Sequence, residues 1–128
     1  MAEMRREVIE AAIASGLKVA FADGVLQAHE QERLLARMRH EIDGDIVSQG
    51  ILTRILGEYL ELYRTNRDAA HARAEKAMDM SFQPKEAEQI IRLCIAVGYS
   101  KKVMSYVERQ ACRQITERLG VKPEDYDL

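Results

Sequence analysis

The stretch Phe21-Ala22-Asp23-Gly24-Val25-Leu26-Gln27-Ala28-His29-Glu30, FADGVLQAHE, decides how this chain is to be read. Upstream of it, Ile9, Ile13, Leu17 and Phe21 recur every four residues, the spacing of one helix face. Asp-Gly then breaks the period, because glycine enters backbone conformations that end a helix. Downstream, Leu34, Leu35 and Met38 start a new apolar stripe from about Ala28 to His40. The stretch is a corner between two helices with an acid on either side. Asp23 closes the first helix and Glu30 stands early in the second.

Working outward, four more helices follow by period and breaks. The first helix runs from about Glu3 to Ala22. Asp43-Gly44-Asp45 ends the second, and Ser48 is expected to cap a third that carries Leu52, Ile55, Leu56, Tyr59 and Tyr63. Thr65-Asn66 interrupts that pattern before an alanine-rich helix from about Arg67 to Met78. Pro84 fits the first turn of a fifth helix, through about Val97. Its apolar residues reach nearly all round, so the Ile90–Val97 segment is expected to be the most buried helix, and Ile91→Ala to cost about 2–5 kcal/mol. A sixth helix, from about Val103 to Leu119, presents Val107, Ala111 and Ile115 and stops at Gly120, a natural C′ residue. No strand pattern survives. The expectation is one all-α domain over residues 1–128, a bundle of six to seven helices with its core at about 3–120 and a short acidic tail at 121–128.

Composition supports that reading and removes several functions. Apolar residues are 47% and charged residues 31% of the 128, a globular rather than a disordered balance. A formal net charge of −2 lacks the concentrated basic charge that phosphate backbones require, so nucleic acid is not an expected partner. No run approaches the roughly 20 apolar residues of a membrane span. The opening Met1-Ala2-Glu3-Met4-Arg5-Arg6-Glu7 reads as amphipathic helix and not as a signal peptide, and a cytoplasmic location is expected. Cys94 and Cys112 lie in helical patterns without metal-ligand spacing and read as reduced core or near-core thiols.

The corner has a partner late in the chain. Helix–DG–helix near the start is answered by helix–GYSKK–helix, and each corner is followed by a glutamate, Glu30 and Glu108. That pattern is a pseudo-repeat of weak sequence identity. Ala22-Asp23-Gly24-Val25 with Glu30, the Pro84-Lys85-Glu86-Ala87 helix entry and the closing Leu119-Gly120-Val121 together resemble the tellurite-resistance TerB family over roughly Val8 to Leu119. The same fold occurs at the N-terminus of membrane-anchored DnaJ-like co-chaperones. The resemblance implies a cytoplasmic helical domain linked to tellurite and other stress resistance. Protein partners follow from it, a membrane-associated complex among them, as does a homo-oligomer as one form. It also implies a divalent cation at acidic corners. Members carry the Asp-Gly-to-Glu pattern twice, whereas here the second Asp-Gly falls on Lys101-Lys102.

Physical chemistry weighs the site both ways. An acid at a helix C-terminus costs about 0.3–1 kcal/mol against the macrodipole unless compensated. A cation shared by Asp23 and Glu30 (Ca²⁺, Mg²⁺, Mn²⁺ or Zn²⁺) compensates it, and so does a turn amide, a basic side chain or water. Hard cations take several oxygens, so two carboxylates need carbonyls and waters to complete a site. At the second corner, Lys101 stands seven residues before Glu108 and is expected to pair with it, closing that corner to metal. An EF-hand is excluded: Arg39 would fall at its first ligand position and Gly50 at its twelfth. His29 adjoins Glu30 and could ligate zinc, but a histidine in the first turn of an exposed helix reads as solvated; His40 and His71 have no acid or cysteine partners at ligand spacing. Nucleophile and phosphate-loop motifs are absent, so no catalysis is expected. Two readings compete with a cation-binding domain: a metal-free interaction or assembly module, and a helical-bundle enzyme using Asp23 and Glu30 as acid and base.

Overall fold

In a computed structural model, residues 5–22, 24, 26–42, 46–99 and 103–128 are described. They form α1 (Arg6–Ala20), α2 (Ala28–Glu41), α3 (Ile46–Thr65), α4 (Arg67–Met78), α5 (Pro84–Gly98) and α6 (Tyr106–Arg118). A 3₁₀ turn, Pro123–Tyr126, follows, and no strand occurs among the described residues.

The predicted helix order holds, but the centre lies elsewhere. Among the residues of α1 from Val8 to Ala20, only Glu10 and Lys18 are not buried, whereas α5 exposes Arg92 between Ile91 and Leu93. α1 packs against α3, α4, α5 and α6, most extensively against α5. The expectation that Ile90–Val97 is the most buried helix is therefore corrected in favour of α1. The reason lies in its small residues. Ala11, Ala12, Ala14, Ser15 and Gly16 let neighbours approach from every side, although they add little to an apolar count. A Cβ placed on Gly16 would stand 2.8 Å from the Met38 methyl. The Met38 side chain fills the space that this missing atom leaves.

Helix ends follow sequence chemistry, with two exceptions. Gly120 takes φ +78°, and the Gly120 and Val121 amides donate to the Glu117 and Thr116 carbonyls at 2.9 and 3.1 Å, closing α6 as expected. Gly24 takes φ +132°, a conformation that only glycine adopts without strain. Ser48, however, is buried inside α3 and is not its cap. α6 begins three residues later than predicted, with the Ser105 hydroxyl accepting from the Glu108 amide at 3.2 Å. That cap sets the register. Glu108, Cys112 and Ile115 face inward and Val107 is 47% exposed, so the expected inward stripe Val107–Ala111–Ile115 is displaced by one position at its start. Residues after Gly120 fold back on α6, where Arg109 Nη1 donates to the Asp127 carbonyl at 2.9 Å and Arg113 to that of Leu128.

Two polar clusters join α1 to the rest. Glu10 accepts from Arg73 Nε at 3.1 Å and from the Tyr59 hydroxyl at 2.9 Å, while Arg73 also pairs with Glu58 at 2.9 Å. Glu75 bridges Lys18 of α1 and Arg118 of α6. Tyr63 is stacked on Phe21 with ring centroids 4.2 Å apart, and its buried hydroxyl has no hydrogen-bond partner. A buried hydroxyl left unpaired costs about 1–3 kcal/mol. Tyr63→Phe keeps the stack and removes that cost, so it should raise the urea midpoint by an amount equivalent to about 1 kcal/mol. A clearly lower midpoint would show that the hydroxyl is satisfied in solution.

Candidate functional site

The pseudo-repeat gives the bundle a crossed arrangement: α2 packs on α5, and α6 packs on α1 as well as on its own neighbour α5. Each corner therefore delivers its second helix to the first helix of the other corner. Where the two exchanges meet, Ala20, Leu26 and Val97 wall a cavity of about 20 Å³ whose polar lining is Glu30, Arg33 and Glu108. A space of roughly 10–15 Å³ or more by this measure holds one water, so the cavity suits a single water or small ion.

Both glutamates occupy the third position of their helices. Glu30 Oε1 accepts from the Gln27 amide at 3.1 Å, and Glu108 Oε1 accepts from the Ser105 amide at 2.9 Å. Glu86 does the same for Gln83 at 2.8 Å but lies outside this cavity. The bond answers an amide left unpaired at the helix start. Glu108 is only 3% exposed, one of four buried polar or charged side chains among the described residues. Two carboxyl groups thus converge on one small cavity with an exposed arginine, Arg33, beside them.

Of the two residues expected to bind a metal, Glu30 lies at this cavity, and Asp23 falls outside the described residues. Lys101 falls outside them as well, and with it the expected Lys101–Glu108 pair. Glu108 is the residue that spacing alone did not assign to the same site. The available signal was its placement as the counterpart of Glu30 in the repeat. His29, His40 and His71 are exposed. Among the described residues no group of three or more His, Cys, Asp or Glu is placed to hold a metal ion.

The rest of the expected chemistry sorts into the core. Tyr59, Tyr63 and Met78 are core residues. Cys94 and Cys112 are buried free thiols, and burial pushes Cys112 up to about 12 and Cys94 well above its usual value. Cys112 Sγ lies 3.5 Å from the Cys94 carbonyl as a donor. Thiolates, the reactive form, are suppressed at both positions. No helix among the described residues is long and apolar enough to cross a membrane.

The lining offers a metal ion oxygen donors alone. Hard cations such as Ca²⁺ or Mg²⁺ take oxygen ligands of this kind and need several more than two, whereas Zn²⁺ sites draw on cysteine and histidine, which are missing from the cavity lining. No curated protein and no solved structure matches the chain. The family model described as Tellurite resistance protein TerB matches residues 9–128, from the second turn of the buried α1 through both corners to the end of the chain. With its paired corners and helical bundle, this chain belongs to the TerB family.

Proposed function

We propose that the chain is a non-catalytic, cytoplasmic stress-response domain that holds one hard divalent cation between the N-termini of α2 and α6 and presents the adjoining face to a protein partner. The observation that carries this is Glu108: a carboxylate 3% exposed, facing the cavity that Glu30 also lines. Arg33 in the same lining offsets part of the charge of the two carboxylates, and a bound cation offsets the remainder. Asp23, at the mouth of the first corner by sequence, is the further ligand this reading calls for.

The test compares wild type with Glu108→Gln and Asp23→Asn after chelator treatment. Glutamine keeps an oxygen to accept from the Ser105 amide, so the cap survives while the charge is lost. Calcium or magnesium at ten times its dissociation constant should stabilise wild type by about 1.4 kcal/mol, a rise in Tm of roughly 5 °C. Both variants should lose most of that rise, and Zn²⁺ should give less than Ca²⁺. Identical melting of wild type in chelator and in millimolar Ca²⁺, Mg²⁺ or Mn²⁺ would end the cation reading.

A second reading, an interaction module without metal, is favoured by one observation. Tyr99, Val103, Tyr106 and Val107 are 41%, 76%, 76% and 47% exposed around the second corner. Exposed aromatic and aliphatic groups clustered in this way mark protein-docking faces. The two readings share that face and differ only in the cavity, so the melting experiment separates them.

A further inference from the structure

The first corner is reached from far along the chain. Arg67, the first residue of α4, donates from Nη2 to the Gly24 carbonyl at 3.0 Å across 43 residues. Its guanidinium carbon lies 5.4 Å from the Phe21 ring centroid and 5.8 Å from that of Tyr63. Those two rings are stacked within 4° of parallel, and His71 meets Tyr63 edge-on at 5.5 Å. The end of α1, the end of α3 and the start of α4 thus share one platform, and the arginine sits on it facing the turn. The Asn66 side chain accepts from the Ala69 amide at 3.1 Å and anchors the start of α4 beneath it.

Gly24 needs such an anchor. At φ +132° it lies where no side chain can help to hold it, and an added Cβ would find nothing within 4 Å. Its amide donates to the local Phe21 carbonyl at 3.2 Å. Two residues on, Leu26 enters the cavity wall, and Glu30 follows one turn of helix later. The direction in which the chain leaves Gly24 therefore sets where Glu30 arrives.

We infer that Arg67 is a positioning residue for the corner: seated on the Phe21–Tyr63 stack, it holds the Gly24 carbonyl and thereby fixes the path that brings Leu26 and Glu30 to the cavity. The consequence for cation affinity rests on the reading given under Proposed function; the consequence for the corner itself does not. Lysine is a poor substitute, because the planar guanidinium both stacks on rings and directs its donors, whereas an ammonium is a strongly hydrated point charge.

The sign of the effect separates this role from simple electrostatics. Removing a positive charge near a cation site should strengthen binding by Coulomb's law. Loss of a positioning contact should weaken it, and groups that orient metal ligands typically contribute about 10–100-fold in affinity. Calcium titration of Arg67→Met is therefore expected to show binding weaker by about 10-fold or more, with Arg67→Lys recovering only part. In the same metal-free proteins, hydrogen exchange at the Gly24 and Gln27 amides should accelerate in Arg67→Met while the α1 and α5 amides stay protected. Tyr63→Phe, which keeps the ring platform, should leave both readouts unchanged. Unaltered corner exchange in Arg67→Met would overturn the inference, and so would calcium binding equal to or tighter than that of a binding wild type. If wild type binds none of calcium, magnesium and manganese, the cation reading fails on its own, and the exchange rates still decide the role of Arg67.

Discussion

Replacing Ile13 with alanine should cost about 2–5 kcal/mol, toward the upper part of the range for truncating a buried isoleucine. Ile13 is fully buried on the helix that packs against four others. A cavity there is enclosed on all sides, and surroundings that cannot collapse leave the largest penalty. Leu35 on α2, only partly buried against the same core, should cost distinctly less on truncation. Urea denaturation gives both numbers. An Ile13→Ala loss below about 1 kcal/mol, or one no larger than that of Leu35→Ala, would mean that α1 is not the central helix.

Removing the Glu10 side chain should have the next largest effect. Its carboxylate takes bonds from Arg73 and from Tyr59, whose hydroxyl sits on a fully buried ring, and Arg73 lies over that ring at 4.7 Å. Glu10→Ala leaves a partly buried guanidinium with Glu58 as its remaining acid and strands the Tyr59 hydroxyl. Breaking a buried pair from one side costs about 3–5 kcal/mol, and with side chains 22% and 29% exposed the expected figure is about 3 kcal/mol. Acid titrates the same contact. Burial pushes the Glu10 carboxyl up, but the bonds from Arg73 and Tyr59 outweigh burial and hold it below its usual 4.5. A carboxylate depressed by folding contributes stability that is complete above the unfolded value and is lost as pH falls through the folded one. Wild type should therefore lose stability below about pH 4.5, and Glu10→Gln should be less stable at pH 7 with a shallower acid limb. A variant whose acid limb parallels that of wild type would place the sensitivity elsewhere; Glu75 and Glu86, held low chiefly by Lys18 and Arg5 respectively, are the groups to substitute next.

Local chemistry determined by itself where most helices begin and end. The Asp-Gly break, Pro84 in a first turn and Gly120 past a last turn act through backbone conformations accessible to single residues, so their outcome does not wait for packing. Periodicity likewise identified Leu34, Met38, Leu52, Ile55, Leu56 and Tyr59 as core, because one face of a helix must leave water wherever that helix docks. What periodicity could not rank was how deeply each helix is buried. Depth depends on how closely neighbours approach, and the alanines and Gly16 of α1 matter through what they omit. The register of α6 was a near miss of the same kind. Val107 and Glu108 compete for the inward position; hydropathy favours the valine, while the Ser105 cap and the meeting of two helix ends turn the glutamate in. Only the tertiary exchange of α2 and α6 places Glu108 beside Glu30, because residues 78 positions apart share a cavity through chain topology, which no spacing along the sequence encodes. The Arg67–Gly24 contact depends on the tertiary fold in the same way, being a bond between two ordinary residues whose chemistry becomes specific once α4 is set against the corner.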